Sequence, residues 1–249
     1  MLKIENVSVT GWEAALRGMR NPLNSWEKSD TECAFHAMEN FTEDDPMAYK
    51  YREWNDKYGM NIKIGKADYT LMMNLCKGGT EESKWRRMIH VTFDMTAPLY
   101  LLKEFDVYKV GTTSNSCSTM HKIAEREFTL DDFSCEHLLN TGCNLFEFTF
   151  DNGMFSKNVQ PLDFLQMFII PSLNVCRNKY LETKDKSYWW QMIQLLPSSY
   201  NQRRTVDLNY EVLAAQYRQR KAHKLDEWVE YCKWIKTLPY SEFITGEKD

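Results

Sequence analysis

Apolar and polar residues alternate along three short stretches of the chain, and this predicts strands with one buried face. The alternation is present at 60–64, clearest at 89–95 and repeated at 146–150. Between the first two stretches, residues 68–77 have helical character and end at Gly78-Gly79, a pair that tolerates the left-handed backbone closing many helices. The expected order is therefore strand, helix, strand.

The second half of the chain has mainly helical spacing. Helices are expected at 99–107, after Pro98 and running toward Gly111, at 162–180 with a bend or break at Pro171, at 187–196, and as one long amphipathic helix from 207 to about 237. The pattern predicts an α+β fold with a mixed or antiparallel sheet, flanking helices and a long C-terminal helix. Because no repeat, linker or charge block marks a boundary, we expect a single domain over residues 1–249.

Composition narrows the classes of function. The net charge of −4 and the pI near 5.8 argue against duplex nucleic acid as the main partner, although a few local cations would suffice for a small anion. We expect a cytoplasmic protein without membrane contact, since no stretch has the length and apolarity of a span. Seven scattered cysteines indicate reduced thiols, and the absence of HExxH, CxxC and close histidine pairs predicts no metal site. No Rossmann or P-loop glycine motif is present.

A run of short polar side chains follows Gly111. Six Ser, Thr or Asn residues occupy seven consecutive positions, 113 to 119, interrupted by Cys117. Such groups can donate hydrogen bonds to a phosphate or to the edge of a pyrimidine. The same residue types also favour turns and helix starts, so a capping loop is the alternative interpretation.

Two groups of charged residues are candidate anion sites. Arginine suits phosphate because its planar fork binds two oxygens at once, whereas an exposed helix face carries the same residues for solubility. For Arg218 and Lys221 the solvated face is the favoured interpretation. The cationic group contains Arg203, Arg204, Arg218, Arg220 and Lys221, and the mixed group contains Glu81, Glu82, Lys84, Arg86 and Arg87.

Residues 108–121 resemble the RHRxxSxNxxSxRY motif of flavin-dependent thymidylate synthases. Asn115 and Ser118 match identically, and Thr113 stands where the first serine would be. The family's later Leu-Pro, Asn and Arg are matched by Leu196-Pro197, Asn209 and, eleven residues further on, Arg220. Its upstream Glu-His resembles Glu81-Glu82, with the histidine replaced. The resemblance covers roughly residues 66–240 and depends more on order and spacing than on identity.

The departures from the motif are concentrated at its arginines. Tyr108-Lys109-Val110 replaces Arg-His-Arg, and Met120-His121 replaces Arg-Tyr. Each lost charge-assisted contact is worth about 1.5–3 kcal/mol, which Lys109 or Arg87 would have to supply instead. The chain is therefore similar to a divergent branch of the family, of the kind met in bacteriophages and Firmicutes.

The resemblance implies a flavin-dependent enzyme that transfers a one-carbon unit from a reduced folate to C5 of dUMP, with FAD as hydride carrier. It also implies a homo-oligomer, expected to be a tetramer, with sites at subunit interfaces. Arg220 is the catalytic candidate. The cofactor-binding candidates are Asn115, Ser116, Ser118, Lys109 and His121, and the substrate-binding candidates are Arg204, Arg220, Arg87 and Glu81. The three replaced arginines leave one alternative, a non-catalytic nucleotide-binding or interaction protein that kept the fold.

Overall fold

The computed structural model describes residues 1–33, 46–150, 153 and 155–247. The chain divides into two compact units. A helical unit comprises Met1, Thr96–Glu104 and Ser116–Arg203, and a sheet unit comprises Leu2–Met95, Phe105–Asn115 and Arg204–Asp249. The single domain expected over residues 1–249 stays a prediction.

Strands and helices are mixed along the described chain, which confirms the predicted α+β class. The strands are β1 (Lys3–Thr10), β2 (Glu32–Cys33), β3 (Ile62–Lys63), β4 (His90–Pro98), β5 (Thr112–Ser116), β6 (Phe146–Phe150), β7 (Phe155–Val159) and β8 (Asn201–Asn209). The helices are α1 (Trp12–Arg20), α2 (Pro46–Tyr58), α3 (Lys66–Lys77), α4 (Leu99–Phe105), α5 (Thr119–Lys122), α6 (Pro161–Phe164), α7 (Ile170–Thr183), α8 (Lys186–Leu195), α9 (Tyr210–Arg220), α10 (Asp226–Ile235) and α11 (Glu242–Thr245).

A four-stranded sheet in the order β1-β4-β8-β5 is built around the predicted strand at 89–95. Along β4 the side chains of Val91, Phe93 and Met95 are fully buried, while the intervening polar residues are half-buried. The alternation read from the sequence is thus the alternation of the two sheet faces. Behind the buried face, Phe93 packs against Trp234 with ring centroids 4.8 Å apart.

The predicted helix at 68–77 is also present, as α3. Its last residue is Lys77, and the left-handed conformation expected at the glycine pair is found at Gly79, with φ of 90°. The strand expected at 60–64 is reduced to the two residues of β3, which pair antiparallel with β2. These elements belong to the sheet unit.

A buried ion pair joins α1 to α3 within the sheet unit. Arg20 donates from Nε to Asp68 Oδ1 at 2.6 Å, and the two side chains are 5% and 0% exposed. The hydroxyl groups of Ser29 and Thr31 donate to the other oxygen of Asp68, each at 2.6 Å. Burial raises the pKa of Asp68, but these hydrogen bonds and the arginine outweigh it and hold the pKa below its usual value.

The C-terminal stretch differs from the single helix expected over 207 to about 237, and this prediction is corrected. Residues 201–209 form β8, because Val206 and Leu208 are completely buried on one face of the sheet. The side chain of Asn209 then accepts a hydrogen bond from the Val212 backbone at 3.1 Å and caps α9. After Arg220 the chain turns before α10 begins.

In the helical unit, the strand predicted at 146–150 is β6, which pairs antiparallel with β7. We expected the apolar residues of this strand to be buried on one face. This expectation is wrong for the first of them, since Phe146 is 41% exposed. Its ring contacts Phe168 at 5.6 Å between centroids. A short hairpin has few neighbours of its own chain to cover its apolar residues, and periodicity alone does not reveal this.

The helix predicted at 162–180 is present, and its hydrogen-bonding pattern changes before Pro171 while the chain stays helical from 161 to 183, so the bend or break expected at Pro171 stays a prediction. Helix α6 is followed by a π-helical turn, Leu165–Ile169, and then by α7, which carries Pro171 in its first turn. Proline lacks the N–H that would continue the α-helical bonding, and a wider turn accommodates the loss. The helix expected at 187–196 is present as α8.

No helix among the described residues is long and apolar enough to cross a membrane. Within the same residues, no group of three or more His, Cys, Asp or Glu side chains is arranged to hold a metal ion.

Candidate functional site

The polar motif at 108–121 contains a loop, a strand and a short helix. Tyr108 to Gly111 form the loop after α4, the next five residues form β5, and Ser118 caps α5 by accepting a hydrogen bond from the His121 backbone at 3.1 Å. Ser118 therefore has the capping role that the alternative interpretation assigned to this run. Its side chain also lines a cleft of the helical unit.

A second cleft, within the sheet unit, has a volume of about 470 Å³ and is here called the cationic cleft. Three positively charged side chains line it, and they come from the turn before β4, the loop before β5 and helix α9. Its lining residues are Thr80, Arg87, Val107, Tyr108, Lys109, Val110, Gly111, Asn209, Glu211, Val212, Ala215 and Arg218. Two of the sequence candidates, Arg87 and Lys109, are thereby brought together.

The backbone of Gly111 lies very close to Asn209 at one wall of the cationic cleft. Gly111 has φ of 80°, and a Cβ added to it would lie 2.8 Å from Asn209 Nδ2. Only glycine combines this backbone conformation with such a close approach. The loop that carries Lys109 is thus held against the start of α9, where the backbone N–H groups of a helix favour an anion.

Arg220, the catalytic candidate, is held by aromatic side chains of the sheet unit. Its Nε donates to the Tyr108 hydroxyl at 3.0 Å, and its guanidinium carbon lies 4.9 Å from the centre of the Trp228 ring and 5.8 Å from that of Tyr108. These contacts are typical of cation–π packing. Arg220 is thus packed against aromatic rings rather than freely solvated.

Two further substrate candidates are engaged with acidic or basic neighbours. Arg204 donates to Asp106 at 2.5 Å, and its side chain is only 12% exposed. Glu81 pairs with Lys84 at 2.9 Å on the surface. The hydrogen bond from Lys84, together with the charges of Lys84 and Arg87, holds the pKa of Glu81 below its usual range. Neither residue lines the cationic cleft.

The cleft of the helical unit has a volume of about 430 Å³ and a mixed polar lining. Cys117, Ser118 and Thr119 lie along it together with Arg126, whose guanidinium is hydrogen-bonded to the buried Asp132. Gln202 lines it too and donates to the Cys117 carbonyl at 2.9 Å. Burial and the charge of Asp132 raise the pKa of Tyr200, so this phenol stays neutral at physiological pH.

The remaining cofactor candidates are exposed. Asn115 lies on β5 in the sheet unit, while Ser116 and His121 belong to the helical unit. None of the three lines either cleft. Sequence reasoning missed Arg218 as a cleft residue and Trp228 as a neighbour of Arg220. The first was assigned to a solvated helix face, and the second is separated from Arg220 by a turn that the single-helix prediction did not contain.

No protein-family model and no curated protein matches the chain. Solved structures do match it over nearly its whole length. Thymidylate Synthase X (ThyX) from Helicobacter pylori, solved with FAD and dUMP, has a TM-score of 0.60 at 15% identity, over 99% of this chain and 98% of that chain. The chain has the ThyX fold. The UMP/dUMP methylase PolB from Streptomyces cacaoi, bound with 5-Br dUMP, has a TM-score of 0.51 at 14% identity, over 99% and 94% of the two chains.

Proposed function

We propose that this chain is a nucleotide-methylating enzyme that transfers a one-carbon unit from a reduced folate to C5 of dUMP, with FAD as hydride carrier. The observation that carries the proposal is the ThyX fold over 99% of the chain, which it has in common with proteins solved with FAD and dUMP or with a brominated dUMP. A homotetramer in the cytoplasm and a divergent branch of the family are part of the same proposal.

The cationic cleft supports binding of a phosphate-bearing ligand such as FAD. Lys109 and Arg87 offer the charge that the replaced motif arginines no longer provide, and Gly111 lies close to the side chain of Asn209 at the same wall. Val107 and Val110 are 66% and 92% exposed, so apolar surface is available beside the charges for a flavin ring or a base. The residues present therefore fit this cofactor.

The chain's own residues would bind and orient the reactants. Bound flavin would supply the hydride. Arg220, fixed by Tyr108 and Trp228, would polarise the pyrimidine ring, because a guanidinium held in place stabilises developing negative charge without reorganising. Asn115, Ser116, Ser118, Lys109 and His121 are proposed as cofactor contacts. The proposed substrate contacts are Arg204, Arg87 and Glu81. Arg204 would contact a substrate only after its hydrogen bond to Asp106 is broken.

The decisive experiment measures cofactor and product together. Purified protein is mixed with FAD, and its absorbance spectrum is compared with that of free FAD. It is then incubated without oxygen with chemically reduced flavin, a methylene-bearing folate and dUMP. The expected result is a perturbed flavin spectrum and a nucleotide heavier by one CH2 group, measured by mass spectrometry.

Another outcome would favour the second candidate function, a non-catalytic relative. The replacement of Arg-His-Arg by Tyr108-Lys109-Val110 is the observation behind it. Binding of dUMP in calorimetry without any change in the flavin spectrum and without product would indicate a nucleotide-binding protein that lost the cofactor. Binding of neither ligand would contradict both candidates.

A further inference from the structure

Two side chains on the polar face of the sheet form a hydrogen-bonded pair across strands β4 and β8, within the sheet unit. The carboxylate of Asp207 lies 3.1 Å from His90 Nδ1, and it also accepts a hydrogen bond from the Thr92 hydroxyl at 3.4 Å. Because an ionised carboxylate only accepts, Nδ1 carries the proton of the neutral imidazole and the lone pair is at Nε2. Asp207 therefore fixes both the tautomer and the orientation of the ring.

The Nε2 atom of His90 is open to a ligand. The side chains of His90 and Asp207 are 45% and 38% exposed, and in the described part of the chain Nε2 has no hydrogen-bond partner. An imidazole held in this way accepts a proton at Nε2, because the carboxylate stabilises the imidazolium that forms. A second cross-strand bond of the same sheet, from Thr205 to Asp94 at 2.6 Å, contains no group that takes up a proton near neutral pH.

The pair lies at the end of the sheet that borders the cationic cleft. Asn209, which lines the cleft, is two residues after Asp207 in the chain. The backbone N–H of Tyr210 donates to the carbonyl of Ile89, directly before His90, at 3.0 Å and joins the end of β8 to the start of β4. Two residues of a strand span about 7 Å, so a ligand in the cleft has to extend only this far along the sheet to contact the imidazole.

We propose that His90 accepts the proton that leaves C5 of the pyrimidine, with Asp207 as the residue that positions it. This inference rests on the proposed function, in which a one-carbon unit is transferred to C5. The C5=C6 electron pair forms the new bond from C5 to the methylene carbon of the folate. The C5–H bond then breaks, its electron pair restores the C5=C6 double bond, and the proton passes to His90 Nε2. The carboxylate of Asp207 balances the charge of the imidazolium.

The first measurement compares variants of the full chain in the anaerobic assay with reduced flavin, a methylene-bearing folate and dUMP. His90→Gln should lower kcat about a hundredfold, the low end of what a general base contributes, while the Kd for dUMP in calorimetry stays within about twofold. Asp207→Asn should lower kcat too, because its amide can donate to Nδ1 and so favours the other tautomer. His137→Gln, at an exposed histidine of the helical unit, is the matched control and should keep the wild-type kcat.

The second measurement uses the wild-type protein and requires no turnover. Diethyl pyrocarbonate acylates unprotonated imidazole nitrogens, and peptide mass spectrometry measures each histidine separately. Saturating dUMP should slow the modification of His90 about fivefold or more, because the bound ligand covers Nε2, and should leave that of His137 unchanged.

The outcomes separate this inference from the proposed function. A low kcat in His90→Gln together with protection of His90 by dUMP supports the inference. A wild-type kcat in His90→Gln, or unprotected His90 at saturating dUMP, overturns it while the proposed function stands. If the wild-type protein forms no product, the inference and the proposed function are both overturned.

Discussion

The Tyr108 hydroxyl accepts a hydrogen bond from Arg220 Nε at 3.0 Å and donates one to Gln219 Oε1 at 2.8 Å. In the resemblance to the thymidylate synthase motif, Tyr108 lies at the position of the first arginine, and Arg220 is the candidate for the family's later arginine. The uncharged tyrosine cannot replace an arginine at that position, but its hydroxyl orients the guanidinium of Arg220.

Removing the Tyr108 hydroxyl should show how much the orientation of the Arg220 guanidinium contributes to binding, because the charge of Arg220 is kept. Tyr108→Phe keeps the ring beside Arg220 and removes two hydrogen bonds, each worth about 0.5–1.5 kcal/mol. We expect the affinity for dUMP to fall roughly threefold to tenfold, measured by calorimetry, with a small decrease in melting temperature. Tyr49→Phe, at a tyrosine that is 76% exposed, is the control. Unchanged affinity in Tyr108→Phe would show that the contact is only structural.

Substitution of Arg220 itself should affect both binding and packing. Arg220→Ala should weaken dUMP binding by about 1.5–3 kcal/mol, the value of a charge-assisted contact, and destabilise the protein by about 0.5–2 kcal/mol through lost packing on Trp228. Arg220→Lys keeps the charge but has neither the Nε donor nor the planar face. If Arg220→Lys binds dUMP like the wild type, fixed orientation of the guanidinium is unnecessary.

The sequence predicts the parts of the fold that depend on residues close together in the chain, and it fails where residues far apart in the chain come into contact. The strand at 89–95 and the end of α3 at the glycine pair follow from alternation and backbone freedom, and both are present. Strand β8 was missed because residues 201–205 are all polar, so that only two positions of the strand, Val206 and Leu208, have buried apolar side chains. Arg218 could not be assigned to the cationic cleft, since that cleft joins segments more than one hundred residues apart.

The motif residues Asn115 and Ser118 should respond differently to alanine. Ser118→Ala removes the cap of α5 and should cost about 0.5–2 kcal/mol of local stability, whereas the exposed Asn115 has no cap to lose. If both are cofactor contacts, the double variant should bind FAD or dUMP at least tenfold more weakly, about 1.4 kcal/mol. Normal binding together with a lower melting temperature would leave only the capping role.

The buried pair of Arg20 and Asp68 should make the stability of the protein depend on acid pH. The pKa of Asp68 is lowered in the folded state relative to its ordinary value of 3.8. A carboxylate with a lowered folded pKa contributes stability above its unfolded pKa, and this contribution is lost as the pH falls through the folded pKa. Urea denaturation between pH 3 and pH 7 should therefore show a midpoint that decreases below about pH 4.

Neutralising the same side chain should remove its share of that dependence. Asp68→Asn leaves Arg20 buried without a counter-charge, since both side chains are at most 5% exposed, and we expect a loss of about 3–5 kcal/mol at pH 7. The difference in unfolding free energy between wild type and Asp68→Asn should shrink as the pH falls below 4, because the wild-type carboxyl then becomes protonated as well. Asp56→Asn, at an exposed carboxylate in the last turn of α2, serves as the control and should change stability by less than about 1 kcal/mol. A pH-independent difference between wild type and Asp68→Asn would contradict the assignment of the acid sensitivity to this pair.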